Sequence, residues 1–111
     1  MDQERLIEMN WDSFGDHLKD MMKDMLVSED LSDVTIITED HKRFKAHKNI
    51  LSSASPVLKE LMKGHHEANQ LLFMKGVFSA EIKSIMDFIY LGRVTVDYEM
   101  VHELVDLAKD L

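Results

Sequence analysis

The stretch from Ser32 to Ser55, SDVTIITEDHKRFKAHKNILSSAS, does most to limit what this chain can fold into. Residues 33–38 (DVTIIT) are β-branched and alternate weakly, which predicts a well-buried strand. Glu39-Asp40-His41-Lys42 then reads as a polar turn. Phe44 and Ala46 point one way on a second strand, which completes a hairpin. Residues 47–54, small and aliphatic, read as a short helix. Ser55-Pro56 opens another, with serine as cap and proline at the first helical position. Val57, Leu58, Leu61 and Met62 form its buried side, and Gly64 stops it.

Ahead of the hairpin, residues 12–26 predict an amphipathic helix. Trp11, Phe14, Leu18, Met21, Met22, Met25 and Leu26 recur at spacings of three and four, one stripe of a 3.6-residue period. Asp16, Lys19, Asp20, Lys23 and Asp24 take the other side, and Asp12 or Ser13 can cap the start. Gly15 costs such a helix about 1 kcal/mol against alanine and permits close approach of another backbone. Residues 5–9 read as a short strand, with Leu6 and Glu8 on one face and Ile7 and Met9 on the other. The stripe has two readings: core within one chain, or an interface, for which methionine's adaptable shape is suited.

Beyond the hairpin, Leu71-Leu72-Phe73-Met74 is an apolar run of strand length. Ser79 caps a helix running through Leu91, with Ile82, Ile85, Met86 and Ile89 inward and Gly92 at its end. Arg93 to Val96 reads as a strand. Asp97 caps a last helix with Val101, Leu104, Val105 and Ala108 on one face. The predicted order is β-α-β-β-α-α-β-α-β-α. It is an α+β chain, with short helices clustered around a small mixed sheet.

At 111 residues this supports one domain. The net charge of −8 argues against direct nucleic-acid binding, since the one basic run (Lys42, Arg43, Lys45, Lys48, with His47) is short and interrupted. There are no cysteines, which excludes disulfides and thiolate metal sites and fits a reducing intracellular compartment. No apolar run approaches the roughly 20 residues that span a bilayer, so no membrane partner is expected. The start, MDQERLIEMN, lacks a signal-peptide core. The end at Asp110-Leu111 falls inside an apparent helix, so the chain is expected to be a fragment of a longer protein. His65-His66-Glu67 reads as a solvated loop after Gly64 and not as a metal site. The four glycines are scattered and no serine sits in a nucleophile elbow, so neither an enzyme nor a cofactor is expected.

The order of elements, with certain residues, resembles the BTB/POZ domain over nearly the whole chain. The residues are Ser32-Asp33-Val34; Phe44-Lys45-Ala46-His47-Lys48 with Leu51-Ser52 and Ser55-Pro56; and Met86-Asp87-Phe88-Ile89-Tyr90-Leu91-Gly92. Asn10-Trp11 and the long first helix are most similar to BTB domains heading zinc-finger transcription factors, including the arthropod-type group. Two departures, Leu58 where an aromatic is common and Ser53 near a frequent cysteine, read as core substitutions.

The resemblance implies a strand-exchanged homodimer, with residues 1–31 as a dimerisation strand and helix and residues 32–111 as the core. The first helix packs on its symmetry mate through Phe14, Leu18, Met21, Met22 and Met25, with Trp11 and Phe14 as anchors. Leu6, Ile7 and Met9 lie on a strand that pairs with the segment matching Arg93, Val94 and Val96 in the other protomer. Asp33 and Lys48 match a charged pocket near the dimer floor, coupled to dimer geometry and corepressor binding. Alternatively, Asp33 only starts a strand and neutralises a nearby lysine. Implied partners are a second copy, in dimers or higher oligomers, related BTB domains and corepressor peptides, and the implied location is the nucleus. The alternative function is a substrate adaptor docking onto a cullin scaffold of ubiquitin ligases. Such relatives use a hydrophobic-x-glutamate motif; Glu67 fits it, but His65 stands where a large apolar residue is expected.

Overall fold

The structure is a computed structural model and describes residues 4–64 and 68–111. It contains α1 (Phe14–Ser28), β1 (Val34–Ile37), β2 (Arg43–Ala46), α2 (Lys48–Ala54), α3 (Pro56–Met62), β3 (Gln70–Phe73), α4 (Ser79–Leu91), a 3-10 turn (Tyr98–Met100) and α5 (Val101–Asp110).

The sheet has the order β2-β1-β3. β1 and β2 are antiparallel, with Val34 opposite Ala46 and Ile36 opposite Phe44. β1 and β3 are parallel, with Val34 beside Gln70 and Ile36 beside Leu72. A period of two sends Val34, Ile36 and Ala46 to one face, where they are buried. Leu51 of α2, Leu58 and Met62 of α3, and Ile82, Met86 and Tyr90 of α4 close over them as a single core.

The hairpin turn holds because Thr38 works at both ends. Its backbone N–H donates to the Lys42 carbonyl at 3.0 Å, and its Oγ1 accepts the Lys42 N–H at 3.1 Å. Ser55 caps α3 as its sequence predicts, accepting the Leu58 N–H at 3.1 Å. Its hydroxyl also donates to the Leu111 carbonyl at 2.6 Å, which ties the end of α5 to the α2–α3 corner. Gly92 ends α4 at φ +75°, a left-handed turn that glycine adopts without a Cβ penalty.

Several expectations need correction. Residues 5–9 and 93–96 form no strand within the chain. A strand exists by its ladder, and within one molecule neither segment joins one. α1 starts at Phe14, and Ser13 makes no side-chain capping bond. Among the described residues, no group from elsewhere in the protomer packs closely over Gly15, so its small size serves no close approach there. α3 ends at Met62 with Lys63 as its cap, before Gly64. Ser79 is the first residue of α4 and not its cap, which is Phe78. Asp97 precedes a 3-10 turn and makes no capping bond.

Candidate interaction surface

α1 packs on α4, yet none of its fifteen residues is buried. The stripe divides along its length. Met22, Met25 and Leu26 are half-buried against the core of their own chain. Trp11, Phe14, Leu18 and Met21 keep 55%, 51%, 42% and 44% of their surface exposed. An apolar stripe of this size left in water is unusual for a stable monomer. Trp11 is held in place all the same: its indole N–H donates to Ser13 Oγ at 3.1 Å, and its ring lies 5.3 Å from Phe14 and 4.8 Å from His17, centroid to centroid. Leu6, Ile7 and Met9 are also exposed.

A groove runs beside the stripe, lined by Leu18 and Met22 of α1, Ile50 and Ser53 of α2, and Ile89 of α4. Ser53 is exposed there, which corrects its reading as a core substitution, whereas Leu58 is buried. Ile50 went unrecognised in the sequence because one residue on a seven-residue helix carries no readable periodicity. Arg93 is exposed, and Val94 and Val96 are half-buried. Val94 lines a second, largely apolar cavity of about 500 Å³ between α4 and α5, whose polar lining residues are Ser55 and Ser84. His65 and Glu67, expected for a cullin contact, lie outside the described residues, as does the rest of the His65-His66-Glu67 run.

Asp33 and Lys48 do meet, through the lysine backbone. The Lys48 N–H donates to Asp33 Oδ1 at 2.7 Å. The cap position of α2 is His47, whose ring is engaged elsewhere, so Asp33 supplies the acceptor for the first turn from across the hairpin. Asp40 does the same for α4. Phe78 at the cap position has no acceptor, and Asp40 Oδ1 accepts the Ser79 N–H at 3.0 Å. The Ser79 and Thr38 hydroxyls also donate to this carboxylate. Those hydroxyls, Ser79 first, hold the Asp40 carboxyl down at about 2.

His47 is buried, with its ring between the loop after α1 and Tyr90 of α4. Its Nε2 lies 2.7 Å from the Asp30 carbonyl, which can only accept, so the proton sits on Nε2. Nδ1 then accepts from the Tyr90 hydroxyl at 2.8 Å, and that hydroxyl accepts the His47 backbone N–H at 3.0 Å. Burial pushes the Tyr90 phenol up; the bond from the His47 backbone works against this, and the charge of Asp33 adds to it. The triad ties the loop after α1 to the start of α2 and to α4.

These features describe a small α+β domain with a packed core and an apolar helix left open along one side, the design of a protein-association module. The family model described as BTB/POZ domain matches residues 22–111, and the chain belongs to that family. It is 32% identical over 103 residues to the alpha isoform of Drosophila melanogaster protein tramtrack, covering 93% of this chain and 12% of that protein. It is 28% identical over 106 residues to transcription activator GAGA of the same fly, covering 96% of this chain and 18% of that protein. The chain thus spans less than a fifth of these relatives' length. Among solved structures, the BTB domain of zebrafish PATZ1 superimposes with a TM-score of 0.79 at 19% identity, covering 96% of this chain and 86% of that one, a likeness of fold. BTB domains are protein-interaction modules.

Proposed function

We propose that this chain is the self-association module of a transcriptional regulator, working as a two-fold homodimer in the nucleus. The observation that carries this reading is α1, which has no buried residue although Phe14, Leu18 and Met21 on it, with Trp11 just ahead of it, form an exposed apolar stripe. A two-fold axis along that stripe covers both copies at once, because an isologous contact sets the same patch against itself. The segment bearing Leu6, Ile7 and Met9 gains the ladder it lacks by pairing with the Arg93–Val96 segment of the other protomer. In this division residues 1–31 associate and residues 32–111 form the platform. The kinship with a transcription activator supports the regulatory context. Joining two copies brings two sets of the longer protein's DNA-binding modules into one assembly, which raises avidity without any new DNA contact. The dimer presents a groove to corepressor peptides beside α1 and the exchanged strand.

Sedimentation velocity over a dilution series tests the reading. The expected result is a species of twice the 12.9 kDa chain mass at every concentration. A folded species of single mass at low micromolar concentration would overturn it.

A further inference from the structure

Alternation along the strands sets two kinds of side chain on the sheet face turned away from the core. The register lines them up in two rows: Lys45, Thr35, Leu71 and Arg43, Ile37, Phe73. Thr35 is buried and Ile37 half-buried, while Lys45 and Arg43 are exposed. Leu71 and Phe73 keep 61% and 54% of their surface exposed, more than most of the α1 stripe. Each row therefore runs cation, β-branched residue, large apolar residue, in the same direction.

The spacing matches one kind of object. Strands lie about 4.8 Å apart, so the cation column on β2 stands about 10 Å from the apolar column on β3. Within a column, alternate residues are separated by about 6.7 Å. An α-helix with its side chains is about 10–12 Å across, and residues four apart on it rise about 6 Å. We propose that this face docks an acidic amphipathic helix of another protein. The helix lies along the strands, with apolar side chains at i and i+4 on Leu71 and Phe73 and carboxylates on its flank reaching Lys45 and Arg43.

Charge complementarity selects this occupant. The chain carries a net charge of −8, yet this face offers two cations beside its apolar pair. Other occupants use half of the face. The N–H groups of Gln70 and Met74 donate to β1, at the Asp33 and Ile37 carbonyls, so the backbone of Leu71 and Phe73 points outward from the sheet edge. A second copy adding its own β3 there would cover the apolar column but stand about 14 Å from Lys45 and Arg43. A nucleic-acid backbone would engage the cations and leave Leu71 and Phe73 in water. The face is separate from α1, so the proposal does not depend on the dimer.

The test uses two fluorescent helical peptides of about 15 residues, long enough to form helix on binding. One has Leu and Phe at i and i+4 with Glu along one flank; the other has Lys in place of each Glu. Fluorescence anisotropy should show binding of the Glu peptide, weakening as salt rises, and none of the Lys peptide. Reversing both charges, Arg43→Glu with Lys45→Glu, should switch the preference to the Lys peptide, which a misfolded variant could not do. The neutral pair Arg43→Gln with Lys45→Gln should abolish the preference, and Phe73→Ser should weaken Glu-peptide binding roughly tenfold. The proposal is overturned if the wild-type chain does not bind the Glu peptide, or if binding ignores the charge reversal. It is equally overturned if a single-stranded oligonucleotide binds in place of the peptide, or if Phe73→Ser acts only by reducing self-association in light scattering.

Discussion

The Asp40 carboxylate accepts the backbone N–H of Ser79 at 3.0 Å across 39 residues of chain, and so caps α4 from the turn of the hairpin. The α4 cap residue, Phe78, cannot do this, although Glu81 accepts the Phe78 N–H at 3.0 Å and completes the first turn. Glu39 reinforces the joint by accepting the Gly76 N–H at 2.9 Å.

This joint makes stability depend on acid. The Asp40 carboxyl is held at about 2 in the folded chain against 3.8 in the open chain, so the fold favours the ionised form. Its contribution is complete above about pH 4 and is lost as pH falls toward 2. Thermal melts from neutral pH down to about pH 2 should show the wild type losing more stability across that window than Asp40→Asn. Parallel curves for the two proteins would contradict the assignment.

Asp33 should behave as a cap before it behaves as a charge. Asp33→Asn keeps an oxygen facing the Lys48 N–H, whereas Asp33→Ala removes it. Urea unfolding is expected to show a loss of about 1 kcal/mol for alanine and a clearly smaller loss for asparagine. Equal losses would assign the effect to charge.

Tyr90→Phe should be costly although it removes one atom. It leaves the His47 N–H and Nδ1 without their partner in a buried site, a loss of about 1–3 kcal/mol. Chemical denaturation measures it. The midpoint should fall with an unchanged slope, since the area exposed on unfolding is the same.

Charge on the open part of the stripe should abolish the proposed dimer. Leu18→Glu and Met21→Glu are expected to yield aggregated or misfolded protein in size-exclusion chromatography with light scattering, because an obligate dimer seldom has a stable monomer. The same substitution at Lys23, on the polar side of α1, should leave the dimer mass unchanged. A soluble, folded monomer from Met21→Glu would count against obligate pairing.

Much of this was open to reading from the chain alone. The 3.6-residue recurrence from Phe14 to Leu26 marks a helix, the run of Val34 to Ile37 a buried strand, and Ser55-Pro56 a capped helix start; all three are there. Each depends on neighbours a few residues apart, and periodicity, β-branching and capping act at that range. The resemblance to the BTB/POZ domain, drawn from the same residues, is matched by the family over residues 22–111.

Other features could not be read that way. Asp40 looks like an ordinary acid in a turn, and Asp33 is paired with Lys48 only through the resemblance, which does not predict that it accepts the Lys48 backbone N–H; only the folded chain brings both to the first turns of α4 and α2. Leu71 and Phe73 belong to an apolar run of strand length, yet more than half of their surface is exposed, on the edge strand β3 and on the face opposite the Val34-Ile36-Ala46 core. Local pattern by itself determined the helix of the apolar stripe, the buried first strand of the hairpin and the capped start at Ser55-Pro56, but not whether residues 5–9 and 93–96 join a ladder. Tertiary structure alone decided which apolar faces are covered and which aspartates cap which helices. Burial and long-range hydrogen bonds depend on distances in space between residues far apart in the chain, and a linear pattern does not encode those distances.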